Sequence, residues 1–146
     1  MEPYSYNIRV QYFDTDKMMV LHHANYIRYF ETARTEYFRE EGFPYSEMEK
    51  EDFQIPVLGV QVKFQEPAVY DEVISISCRL VKLGPASLEV EYEVRNAETG
   101  VLHATGHSRH GFTNHALRPI PLKKRLPEIY NFIERLYLKD TEQDTE

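Results

Sequence analysis

Ile8, Val10 and Tyr12 are apolar against polar Asn7, Arg9 and Gln11, the period of two that marks a half-buried strand. The period then changes. Tyr26, Phe30, Ala33 and Tyr37 recur at steps of four, three and four, which lines one face of a helix, and Gly42 supplies a stop. This predicts a helix from about Tyr26 to Glu41, about 24 Å long and so able to cross a sheet. Phe43, Pro44 and Tyr45 then turn the chain back toward the core, and the charged run from Glu47 to Asp52 reads as an exposed, mobile connector. Period two returns at Leu58, with Leu58, Val60, Val62 and Phe64 on one side and Gln61 and Lys63 on the other.

Three further strands follow. Val73 to Leu83 and Leu88 to Arg95 alternate cleanly and are separated by the turn signal Gly84-Pro85. Glu98-Thr99-Gly100 closes another hairpin before Val101 to Thr113, where Gly106 and Gly111 predict bulges or a close backbone approach. Arg118-Pro119-Ile120-Pro121 breaks the chain, and Pro127 opens a short helix with Leu126, Ile129, Ile133 and Leu136 on one face. A strand, one long helix and a meander of four antiparallel strands amount to an α+β domain with helices on one face of an antiparallel sheet. We expect one domain over residues 1–138 and an acidic, disordered tail over 139–146.

The length of 146 residues supports one sizeable core. A net charge of -7 argues against a nucleic-acid partner, since a phosphate-binding surface normally shows basic clustering. The one compact basic run, Lys123-Lys124-Arg125, is a solvated helix approach or a contact to phosphates. A single cysteine, Cys78, excludes an intramolecular disulfide and fits a reducing compartment; in its alternating apolar strand it reads as a small core residue. No signal-peptide pattern and no run of membrane-spanning length occurs, so a cytoplasmic protein without a membrane partner is expected.

The candidate chemistry is concentrated between Asp14 and His23, where two carboxylates and two imidazoles fall within ten residues. Asp16 lies on a loop feeding a helix N-terminus, where free backbone N–H groups can receive an oxygen that gains negative charge. The plain alternative is that Asp14, Asp16 and Asn25 are caps and turn formers. His103, His107, His110 and His115 raise a metal hypothesis, which the spacing does not support. On a regular strand His103 and His107 would share a face about 13 Å apart, with His110 pointing the other way. No zinc-type spacing and no Gly-x-Ser-x-Gly elbow appears, so neither a metal, a cofactor nor a serine triad is expected.

The run Asp14-Thr15-Asp16, followed by His23-Ala24-Asn25-Tyr26, Phe30-Glu31 and Ala33-Arg34, resembles the signature of the 4-hydroxybenzoyl-CoA thioesterase-like branch of the hotdog-fold acyl-CoA thioesterases. The resemblance extends in layout over roughly the first 120 residues. It implies a long central helix wrapped by an antiparallel sheet of about five strands, with a short C-terminal helix. It also implies hydrolysis of an acyl-CoA to a carboxylic acid and free coenzyme A, in a site formed between the subunits of a homodimer or homotetramer. The second Asp of the pair, Asp16, takes the part of general base or nucleophile, and His23 a supporting part, with its backbone N–H polarising the carbonyl. His22 is given no part. Met19, Val20, Tyr26, Leu58 and Val60 are expected to line the substrate, and Arg118 to meet the coenzyme A phosphates. Many relatives carry Gly where this chain has Met19, a departure that bears on substrate range. An acyl-[acyl carrier protein] thioesterase and a non-catalytic acyl-CoA binding protein are the competing readings.

Overall fold

The computed structural model describes residues 3–43 and 50–142. Strand β1 (Tyr4–Arg9) is followed by a short 3-10 turn, Tyr12–Asp14, and then by helix α1 (His23–Glu40). Strands β2 (Val57–Phe64), β3 (Val73–Leu83), β4 (Ser87–Asn96) and β5 (Leu102–Gly111) come next. A single-turn helix α2 (Leu122–Arg125) and helix α3 (Pro127–Glu142) end the described chain. The connector expected between Glu47 and Asp52 falls mostly outside the described residues, as does the end of the tail. Residues 139–142, expected to be disordered, continue helix α3 instead, because Asp140 is fully buried and tied into the core.

All five strands form one antiparallel sheet in the order β1-β3-β4-β5-β2. Only β3, β4 and β5 are a meander, which corrects the expected run of four. The outer edge of β3 is already taken by β1, with Ile8 opposite Ile74 and Tyr6 opposite Ile76, so β2 crosses to the free edge of β5. A second correction concerns β5. Val94 faces Ala104 and Arg95 faces Leu102, which leaves His103 as the extra residue of a bulge. The bulge turns His103 inward, so His103 is buried while His107 stays on the opposite, partly open face beside Glu89. Among the described residues no cluster of three metal-type ligands occurs, and no helix is long and apolar enough to cross a membrane.

Helix α1 packs its expected stripe against the inner face, where Tyr26, Phe30, Ala33 and Tyr37 meet Ile74, Ile76, Val90, Tyr92 and Val94 in one apolar cluster. Phe30 lies flat on Tyr92, ring centroids 4.3 Å apart. Cys78 is fully buried there, and burial pushes its thiol well above the ordinary range, as suits a core residue. Helix α3 covers the far end. Asp140 accepts hydrogen bonds from the Tyr37 hydroxyl at 2.8 Å and from Leu80 N–H at 2.9 Å, so a helix side chain closes the edge of β3 where β1 has ended.

A buried polar chain runs through this core. Arg34 donates to the Tyr92 hydroxyl at 3.0 Å, Tyr92 meets Ser108 Oγ at 2.8 Å, and Ser108 meets His110 Nε2 at 2.7 Å. Burial, with the nearby Arg34 charge, pushes His110 down to about 3. Above the ordinary imidazole pKa of about 6.5 both folded and unfolded chains hold it neutral; below that, only the unfolded chain takes up the proton. Stability is therefore expected to fall by about 2 kcal/mol from this group alone between pH 6.5 and pH 5. Urea midpoints at pH 7 and pH 5 check this, and His110→Gln, which can still bond Ser108, should flatten the acid slope.

Candidate active site

Asp14 and Asp16 are two residues apart but do different things. Asp14 is buried and is the anchor of the loop. Its carboxylate accepts from the Tyr29 hydroxyl at 2.6 Å and pairs with Arg28. Its carbonyl accepts from His22 N–H and from Asn25 Nδ2, each at 2.9 Å. Burial and the Asp14 charge push the Tyr29 phenol up, so it stays a donor. Asp16 is exposed. Its backbone N–H donates to the Val20 carbonyl at 2.9 Å and its carbonyl accepts from Met19 N–H at 3.0 Å, which closes a tight loop. One carboxylate oxygen, Oδ1, accepts from Met18 N–H at 2.8 Å; the other has no hydrogen-bond partner among the described residues. The Asx turn thus aims the carboxylate while leaving half of it available.

Met19, at the tip of this loop, has φ of 63°, in the left-handed region that glycine adopts without cost. Met19 keeps that backbone form and accepts the Cβ penalty. Met19→Gly is expected to leave stability unchanged or raise it by up to about 1 kcal/mol, while a β-branched Met19→Ile lowers it by more than about 1 kcal/mol. Denaturant midpoints of the two variants check the sign.

The loop runs directly into α1. His22 is its N-cap, the Nδ1 atom accepting from Ala24 N–H at 3.1 Å, while Asn25 N–H returns to the His22 carbonyl at 3.0 Å. Among the described residues the N–H of His23 is the donor of the first turn left without a partner. His22 is therefore a shaping residue that sequence reasoning passed over, because imidazole is an uncommon cap. The His23 ring stacks on His22 with centroids 4.2 Å apart and meets the edge of Phe64 at 6.4 Å; no hydrogen bond joins it to Asp16 among the described residues.

The expected lining residues divide. Val20 bridges to Val69 on the neighbouring segment. Tyr26 is only 3% exposed, edge-on to Phe64 at 5.2 Å, so it supports the wall more than it lines it. Phe64 is 51% exposed beside both rings and is the lining candidate missed in the sequence, where it reads as one more strand residue. Leu58 and Val60 are exposed on β2, and Val57, at the far end of that strand from Phe64, pairs with His110. Arg118 sits in a turn closed by Asn114 beyond that far end, so it does not approach Asp16 within one chain.

The sequence matches the thioesterase-like superfamily over residues 10–134. It is 31% identical to the acyl-CoA thioester hydrolase YbgC of Escherichia coli over 96 residues, 66% of this chain and 72% of that one. It is 28% identical to the acyl-CoA thioesterase YbgC of Helicobacter pylori over 134 residues, 86% of this chain and 98% of the relative. Among solved structures, the DHNA-CoA thioesterase of Staphylococcus aureus superposes with a TM-score of 0.87 at 28% identity, covering 95% of this chain and 93% of that one.

Proposed function

The chain belongs to the thioesterase-like superfamily, and on that premise we propose that it hydrolyses acyl-CoA thioesters to a carboxylic acid and free coenzyme A, with Asp16 as general base or nucleophile. The observation that supports this reading most is the division of labour in the loop. Asp14 fixes the backbone, and the Asx turn presents a half-free Asp16 carboxylate just ahead of the open His23 N–H. In the general-base form, Asp16 takes a proton from water, the water oxygen bonds to the carbonyl carbon, and the oxyanion meets the His23 N–H. The C–S bond then breaks and the proton passes to the departing thiolate. In the nucleophilic form Asp16 Oδ2 bonds to the carbonyl carbon, the C–S bond breaks to release the coenzyme A thiolate, and water then opens the resulting anhydride, restoring the Asp16 carboxylate, freeing the acid and giving a proton to the thiolate.

The site is shared between two copies of the chain. Among the described residues β2 is an edge strand with one side unpaired, and Val57, Leu58, Val60 and Phe64 are all exposed along it. Such an edge is an aggregation hazard unless it is paired. Two copies related by a twofold axis pair this edge antiparallel, which brings the Val57 end of one strand beside the Phe64 end of the other. Leu58, Val60 and Arg118 of the partner subunit then reach the His23 end of this chain, in the lining and phosphate-binding parts expected for them. A homodimer is the minimal unit, and a homotetramer is a pair of such dimers.

Free-thiol release from short, medium, long and aromatic acyl-CoAs tests the activity, with sedimentation to give the assembly. Turnover by a dimer or tetramer is expected. No thiol above background across the panel overturns the hydrolase reading in favour of acyl-CoA binding. Faster cleavage of the same acyl group on acyl carrier protein moves the substrate to the carrier.

A further inference from the structure

The loop that carries Asp16 hangs on a neighbouring segment, residues 66–72, which joins β2 to β3. Ala68 carbonyl accepts from Leu21 N–H at 2.8 Å, and Tyr70 N–H donates to the Met19 carbonyl at 3.1 Å. Between these bonds Val20 bridges to Val69. Wherever the segment moves, the Asp16 loop moves with it.

One buried side chain grips this segment at both ends. His103 is 4% exposed and is brought inward by the β5 bulge. Its Nδ1 lies 2.7 Å from the carbonyl oxygen of Glu66, and its Nε2 bonds the carboxylate of Glu72. Glu72 Oε1 also accepts from Val69 N–H at 3.0 Å, and Oε2 from Asn96 Nδ2 at 2.9 Å. A carbonyl oxygen has no proton to give, so Nδ1 must be the donor. Burial alone would raise the Glu72 carboxyl, but the hydrogen bonds from Val69, Asn96 and His103 outweigh it and hold it below the ordinary range. The Nε2 side of the same ring lies against that carboxylate, so one imidazole spans from the Glu66 carbonyl to Glu72.

We propose that His103 together with Glu72 forms a positioning pair for the active site: by binding both ends of residues 66–72 it holds the register from which the Asp16 loop is suspended. The pair is given no part in the chemistry itself. It acts through the backbone bonds at Leu21 and Tyr70, and the assignment rests on the hydrolase reading above. A glutamine amide in place of His103 reaches one of the two oxygens and leaves the other without its partner.

The test compares wild type with His103→Gln in the full-length protein by three measurements. Nitrogen-15 spectra of histidine-labelled wild type are expected to show a proton on His103 Nδ1, the donor to the Glu66 carbonyl; an unprotonated Nδ1 overturns the clamp. Amide exchange of Leu21 and Tyr70 in His103→Gln is expected to quicken by about 10-fold or more, while β3–β4 amides such as Ile76 and Val94 hold their rates. Unchanged exchange at Leu21 and Tyr70, or an equal rise everywhere, overturns the local role. With an acyl-CoA that wild type cleaves, kcat is expected to fall by about 10- to 100-fold with KM within about twofold. Loosened exchange with kcat unchanged overturns the positioning role. If wild type releases no thiol from any acyl-CoA, the hydrolase reading fails, and the positioning role with it, while the spectra and exchange still decide the clamp. Glu72→Asp, which keeps the charge and shortens the reach, carries the same measurements if His103→Gln does not fold.

Discussion

Asp16→Asn is expected to lower acyl-CoA turnover by about 10²- to 10⁴-fold with KM and folding essentially unchanged. The asparagine side-chain oxygen can still accept from Met18 N–H, the bond that shapes the turn at 2.8 Å, so the loop has no reason to collapse. What is lost is the charge and the basic oxygen. The neighbouring carboxylate gives the opposite pattern. Asp14→Asn weakens the bonds to Tyr29 and Arg28 in a buried setting and should cost about 2 kcal/mol of stability, with any activity loss following from a distorted loop. Thiol-release kinetics with urea unfolding on both variants separates the roles. Equal turnover in Asp16→Asn and wild type would remove Asp16 from the chemistry.

Gly106→Ala is expected to destabilise the fold by about 3 kcal/mol. A Cβ at this position would stand 2.4 Å from Cε2 and Cζ of Phe30. The ring has little room to retreat, because Phe30 is 2% exposed and its face lies flat on Tyr92. The helix itself would have to lift from the sheet, and α1 carries the His23 N–H. Combining Gly106→Ala with Phe30→Leu should recover part of the loss, since the two changes share one contact. Denaturant midpoints of the single and double variants check this, and a loss under about 0.5 kcal/mol for Gly106→Ala would show that the sheet yields instead.

Some of this is legible in the sequence alone. The stripe Tyr26, Phe30, Ala33 and Tyr37 is the buried face of α1, and the even positions from Ile74 to Leu80 and from Leu88 to Val94 are buried as their alternation required. Gly106 was readable as a close approach, although its partner, Phe30, was not. The Asp16 loop was readable through resemblance and not through periodicity, because a turn has no period. Helix α1 begins at His23, ahead of the expected Tyr26, since its cap is an imidazole and not one of the common capping side chains. Tyr12 leaves β1 for the 3-10 turn, where it is exposed against Tyr70.

By itself the sequence determined the local periods, the single core cysteine, the element order and the Asp-x-Asp loop between strand and helix. These depend on residues one to four positions apart, and side-chain direction in strands and helices follows from that spacing alone. Only the tertiary structure decided which Asp is the anchor and which is free, because that turns on Tyr29 and Arg28 reaching back from the helix. It also decided that β2 lies at the far edge beside β5, leaving an apolar strand face open. A one-residue bulge put His103 inside, between Glu66 and Glu72, where regular alternation would have paired it with His107. In each case the outcome belongs to partners distant in sequence, whose pairing and packing choose among positions that are locally equivalent.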